Sequence, residues 1–223
     1  MDVICHRACP AGGPENSLPA ARAVPDWVDM IEVDVQRCAS GELVVFHDRV
    51  LDRMTAGSGA IAGTDYAHLR ELTLGEADAT VPLLEDLIET LPPGIGLNVE
   101  LKHAGVATDI APILEGLERE VLVSSFVPQA IAPLSEQGFR TAHLIHPDQS
   151  AGWDAEVAAA ESVGAEAIHP HFERVDAKTI STAHDRGLAV NAWTVPDEST
   201  VERLRDAGVD GVIVDDWRIV ESA

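Results

Sequence analysis

Eight short runs rich in β-branched residues, each followed by a stretch of helical length, recur along the whole chain. They read DVICH (2–6), DMIEVDV (29–35), IGLNVEL (95–101), EVLVSSF (120–126), RTAHLI (140–145), AEAIHP (165–170), LAVNAWTV (188–195) and DGVIVD (210–215). Helices are predicted near 15–24, 82–91, 108–118, 128–137, 151–163, 176–186 and 198–207, with a short remnant after Asp216. Gly138, Gly164, Gly187 and Gly208 each follow a helical stretch, where a left-handed glycine can end the helix. Such alternation argues for a parallel sheet covered by helices. Eight repeats point to a (β/α)8 TIM barrel, although a doubly wound sheet shares the pattern. A chain of 223 residues suffices for one barrel domain spanning 1–223.

A ninth run, ELVVFH (42–47), follows the second strand too closely for a crossover helix. It is predicted to fold back as an antiparallel hairpin turning at Ser40-Gly41, with Asp34 facing His47 and Gln36 facing Val45. Period-2 alternation then places Glu32, Asp34 and His47 on one face. Residues 48–80 form a predicted excursion, a small insertion capping the barrel mouth.

Composition narrows the partners. Apolar residues make up 46% of the chain, enough for a sizeable core, and no apolar run approaches a membrane span. The N-terminus, MDVICHRACP, has neither a basic segment nor a long apolar segment, so a cytoplasmic location is expected. Fifteen basic against thirty-eight acidic residues leave a net charge of −23, and Lys102 and Lys178 are the only lysines. Such a surface repels nucleic acid and anionic bilayers, so neither nucleic-acid binding nor stable membrane association is expected. Lysine depletion with only 4% aromatic residues points to a protein working in high salt, where ions screen the self-repulsion. Cys5, Cys9 and Cys38 are too few for a disulfide framework and read as reduced thiols.

Polar residues gather at the C-terminal ends of the predicted strands: His6-Arg7, Glu32-x-Asp34, Glu100-x-Lys102, His169 and Trp193-Thr194. In a barrel that end carries the active site. Three carboxylates at one mouth repel one another unless a cation or raised pKa values relieve them. Oxygen ligands without paired Cys or His favour Mg²⁺ or Ca²⁺ over zinc. Two histidines suit general acid–base work, and the planar fork of Arg7 matches two phosphate oxygens. Together these groups indicate a phosphate ester as substrate. His169 is read as a packing residue and Asp48 as a turn residue.

The order His6-Arg7, PENS (14–17), IEVDV (31–35), VVFHD (44–48) and NVELK (98–102) resembles the glycerophosphodiester phosphodiesterase family. SSF (124–126), AIHP (167–170), AWTV (192–195) and GVDGVIVD (208–215) extend the likeness through nearly the whole chain. The resemblance implies a (β/α)8 barrel with a small insertion after the second strand. It implies that His6 and His47 are the acid–base pair and that Glu32, Asp34 and Glu100 hold a divalent cation, Mg²⁺ or Ca²⁺. It further implies that Arg7 and Lys102 contact phosphate, that Trp193 lines the glycerol end and that Asn16 supports the substrate site. One departure is Ala8, where the family usually has glycine. The implied reaction is metal-dependent hydrolysis of a small glycerophosphodiester to glycerol phosphate and an alcohol. A lysophospholipase D-like activity, another phosphodiester, and a barrel that binds metal or ligand without turnover are the alternatives.

Overall fold

The computed structural model describes residues 1–147 and 151–221. In chain order the strands are β1 (Asp2–Cys5), β2 (Met30–Arg37), β3 (Leu43–Val45), β4 (Gly96–Leu101), β5 (Val121–Ser125), β6 (Arg140–Ile145), β7 (Ala167–Pro170), β8 (Ala189–Val195) and β9 (Gly211–Val214). The helices are α1 (Leu18–Ala23), α2 (Tyr66–Leu69), α3 (Leu84–Thr90), α4 (Ala107–Leu114), α5 (Pro128–Ser135), α6 (Trp153–Ser162), α7 (Ala177–His184), α8 (Glu198–Ala207) and α9 (Arg218–Glu221). Each of the eight predicted runs forms a strand. Their ring order is β1, β9, β8, β7, β6, β5, β4, β2, and β2 pairs back to β1. All eight pairings are parallel, so the sheet closes into a (β/α)8 barrel. Closure excludes the doubly wound alternative, which needs two free edges.

Alternate residues of each strand divide between two cores. Ile31, Val33, Val35, Val99, Val123 and Val190 face outward into a cluster shared with the helices. Ile4, Met30, Leu122, Ala142, Ala167 and Ile213, from six different strands, pack against one another inside the barrel. Above them the inner face turns polar. Register sets Glu32 beside Asn98 and Asp34 beside Glu100, so β2 and β4 present two layers of polar groups toward the C-terminal end. The helices stop where the sequence says they should: Gly138, Gly164, Gly187 and Gly208 all have positive φ. Two starts are capped by aspartate, Asp197 on the Thr200 amide and Asp176 in a reciprocal pair with Thr179.

The hairpin forms, but one residue out of the predicted register. Val35 opposes Val45 and Gln36 opposes Val44, and β3 ends before His47. Gln36 ends the ladder there. Its side-chain amide, Nε2, donates to the carbonyls of Phe46, His47 and Asp48 at 2.7, 3.2 and 2.8 Å. The carbonyls of 46–48 are thereby held by a side chain, while the Phe46 amide still donates to the Asp34 carbonyl at 2.9 Å. The following segment buries Phe46, Leu51, Ile61, Leu69, Leu74 and Val81 in an apolar cluster of its own.

Candidate active site

Three carboxylates meet where β2 and β4 run side by side. Glu32, Asp34 and Glu100 are all buried and can each offer one oxygen, these oxygens lying within 4.8 Å of one another. The Lys102 ammonium stands 3.0 Å from Asp34 Oδ1 and 2.6 Å from Glu100 Oε1. Burial raises Glu32 well above the usual carboxylate range, and Asp34 and Glu100 push it further. Glu100 is pushed up to about 7 by burial and by Asp34, against the pull of Lys102. Asp34 goes the other way. Burial opposes its charge, yet Lys102, His47, Arg7 and the Asn16 amide hold it below the ordinary value. Burial also opposes the charge of Lys102, but its two carboxylate partners raise it to about 12. Glu32 Oε1 is buried without a hydrogen-bond partner, and the other donors nearby are hard oxygens. That donor set fits a divalent cation with an oxygen shell.

The loop after β1 is bent around the first of these carboxylates. The Arg7 amide donates to Glu32 Oε2 at 2.8 Å. Arg7, Ala8 and Cys9 all hold positive φ, at 49°, 60° and 65°. The Arg7 guanidinium reaches Glu15 at 3.2 Å and has Nε 3.7 Å from Asp34. Asn16 donates from Nδ2 to Asp34 Oδ2 at 2.7 Å and accepts the Asp34 amide at 3.2 Å. Both ends of that amide are therefore spent on Asp34, and Asn16 is 2% exposed.

Each predicted catalytic histidine is paired with an aspartate. His6 Nδ1 is 2.7 Å from Asp215 Oδ1, and His47 Nδ1 is 2.6 Å from Asp48 Oδ1. Asp48 is held near 2 by the Arg53 guanidinium and by His47, so it is ionised and accepts. An accepting carboxylate puts the ring proton on Nδ1 and leaves Nε2 as the second functional nitrogen. Burial lowers His47, which favours the neutral ring. Sequence reasoning missed Asp215, although it closes the last strand at the same barrel end as the rest. It assigned Asp48 to a turn because adjacency in sequence does not show which ring nitrogen the carboxylate meets.

A cavity of about 260 Å³ joins these groups. His6, Arg7, Glu32, His47 and Glu100 line one part, and Phe126, His146 and Trp193 line another. Trp193 packs edge-on to Phe126 with ring centroids 5.4 Å apart, and its Nε1 donates to the His169 carbonyl at 2.7 Å. Asn98, Ser124 and His169 form a polar floor, all fully buried. His169 is thus a cavity residue as well as a packed one, its Nε2 lying 3.1 Å from Asn191 Nδ2. Phe126, Asn98 and Ser124 lie in the SSF and NVELK segments of the resemblance, yet sequence reasoning did not single them out, because their neighbours across the barrel come from other strands.

Residues 6–218 match the model of the glycerophosphoryl diester phosphodiesterase family. The chain belongs to that family. It is similar to a glycerophosphodiester phosphodiesterase of Bacillus altitudinis, 29% identical over 96% of this chain and 94% of the relative. One of Caldanaerobacter subterraneus subsp. tengcongensis is 27% identical over 96% and 93%. Among solved structures, a phosphodiesterase of Oleispira antarctica in complex with the product sn-glycerol-3-phosphate superposes with a TM-score of 0.89. It is 28% identical, covering 100% of this chain and 96% of that one.

Proposed function

We propose that this barrel hydrolyses small glycerophosphodiesters to glycerol phosphate and an alcohol, with a divalent cation held by Glu32, Asp34 and Glu100. The observation that carries the reading is one cavity lined by two imidazoles, each with Nδ1 on a carboxylate, and by Glu32 and Glu100 of the three-carboxylate cluster. A bound cation supplies Lewis acidity at a phosphoryl oxygen. Arg7 presents its fork to the non-bridging oxygens, and Lys102 balances the charge of Asp34 and Glu100 from behind. One imidazole takes the proton of the attacking hydroxyl at Nε2, either of water or of the glycerol arm, and in the second case water then opens the cyclic phosphate to glycerol phosphate. The other delivers a proton from Nε2 to the departing alkoxide. Asn16 acts by fixing Asp34, and Asp48 and Asp215 by orienting the two rings. Trp193 and Phe126 give the carbon skeleton of the substrate an apolar wall.

Substrate size follows from the same cavity. A space of about 260 Å³ with a polar floor suits a glycerophosphate head better than an acyl chain, so small diesters rank ahead of lysolipids. No helix among the described residues is long and apolar enough to cross a membrane. Arg53 bonding to Glu15 and Asp48 supports reading 1–223 as one barrel domain with 48–80 as a small insertion capping its mouth. A high-salt setting rests on the charge of −23. The three-ligand oxygen shell leaves room for the waters that Mg²⁺ retains, which favours Mg²⁺ over Ca²⁺.

Diester hydrolysis in high salt, with and without added Mg²⁺ or Ca²⁺, tests this reading. EDTA is expected to abolish turnover and metal to restore it. His6→Ala and His47→Ala should each lose about 10²–10⁴-fold in kcat. Glu100→Gln should weaken metal binding by calorimetry while leaving the fold intact. Full turnover after EDTA and dialysis, or unchanged rates in both histidine variants, would overturn the assignment.

A further inference from the structure

Arg53 lies outside the barrel, in the segment between β3 and α3, and its side chain is 46% exposed. One guanidinium there grips two carboxylates at once. Nε and Nη2 donate to the two Asp48 oxygens at 2.5 and 3.1 Å. Nη1 and Nη2 donate to the two Glu15 oxygens at 3.1 and 2.5 Å. Each carboxylate then passes into the site: Asp48 Oδ1 meets His47 Nδ1 at 2.6 Å, and Glu15 meets Arg7 Nη1 at 3.2 and 3.3 Å. The result is one connected path, Arg7–Glu15–Arg53–Asp48–His47.

On the functional reading above, we propose that Arg53 is a positioning residue that sets the ring of His47 through Asp48 and the fork of Arg7 through Glu15. Two physical consequences follow. Without Arg53, Asp48 would keep only the His47 ring and Glu15 only the Arg7 guanidinium, leaving one more negative charge beside a site for an anionic diester and raising the cost of binding it. Neither carboxylate would keep one rotamer, so the His47 tautomer and the Arg7 fork would both lose their outer support. The two carboxylates are also acidified by this partner. Asp48 is held near 2, and Glu15 falls below its ordinary value despite its burial. Lysine cannot replace the grip, because a point charge cannot hold two carboxylates along two edges of a plane.

The test compares the full-length wild type with Arg53→Ala, Arg53→Lys, and Arg53→Ala combined with Asp48→Asn or Glu15→Gln. Steady-state rates on glycerophosphocholine with Mg²⁺ separate kcat from KM. Arg53→Ala is expected to lower kcat and raise KM, each by about tenfold, the scale seen for outer partners of metal-bound histidines. Most of the kcat loss should vanish in the Asp48→Asn background, and most of the KM rise in the Glu15→Gln background. Arg53→Lys should recover part of one effect and not both. Nitrogen-15 imidazole spectra at pH 8, recorded without substrate, give a reading that does not depend on turnover. His47 should be a single Nδ1–H tautomer in the wild type and a mixture in Arg53→Ala. Should the wild type cleave no diester, the functional reading fails and the spectra alone decide about Arg53. An unchanged His47 spectrum in Arg53→Ala, or losses that simply add in both backgrounds, would overturn the proposal.

Discussion

At Ala8 the backbone sits at φ 60° with the side chain fully buried, where the family resemblance leads one to expect glycine. A left-handed conformation costs a non-glycine residue about 1–2 kcal/mol, against about 0.5–1 kcal/mol of extra chain entropy for glycine. Ala8→Gly is therefore expected to raise stability by up to about 1 kcal/mol, read as a higher urea midpoint at constant m. A lower midpoint would show that the buried methyl outweighs the strain. His169 makes a prediction about pH. Burial, with His143 nearby, pushes its ring down to about 3 from an ordinary 6.5. Below pH 6.5 the unfolded chain takes up a proton that the native ring refuses until about pH 3. Stability from this residue is thus present above that window and falls on acidification, by about 1.4 kcal/mol per pH unit. Urea midpoints at pH 7 and 5 should converge in His169→Gln and diverge in the wild type; equal slopes would refute the assignment.

At the scale of elements, the hairpin shows how a register is decided. Alternation in IEVDV and ELVVFH predicts which faces pair but not the slip of one residue or where the ladder ends, where Gln36 takes the carbonyls of 46–48. His47 still reaches the site, by way of a loop and not a strand. The segment beyond it stands on its own apolar cluster, in which Leu51 is fully buried. Leu51→Ala should cost about 2–5 kcal/mol locally. Hydrogen exchange is expected to speed up across 48–81 before it does in the barrel strands. Uniform acceleration over all strands would mean that the segment and the barrel unfold as one unit.

The whole molecule carries −23 on 223 residues. Several of its arginines pair with surface carboxylates, as in Arg140 with Glu120 and Glu166, or Arg186 with Glu161. Such exposed pairs contribute little each and do not cancel the net repulsion. Screening should therefore matter more here than in a balanced barrel. Melting temperature is expected to rise from low salt toward molar KCl; a steady fall over that range would remove the high-salt reading.

The alternation of strand and helix determined a parallel sheet covered by helices, because a run buried on both faces and a following amphipathic stretch leave few other arrangements. Only the closing β1–β2 pairing chose the barrel over a doubly wound sheet. The Glu-x-Asp and Glu-x-Lys spacings determined the acidic cluster, since a period of two puts each pair on the inner face at one end. Those readings needed only local geometry. The partners of these groups were not local. Asp215 meets His6 across 209 positions and Lys102 meets Asp34 across 68. Glu15 and Asp48, on separate segments, converge on one guanidinium. Strand pairing and the fold of the segment after β3 bring such positions together, and their separation in sequence leaves no periodic trace. Which nitrogen of each histidine is held, which carboxylate stays ionised and what Arg53 does were decided by the tertiary structure.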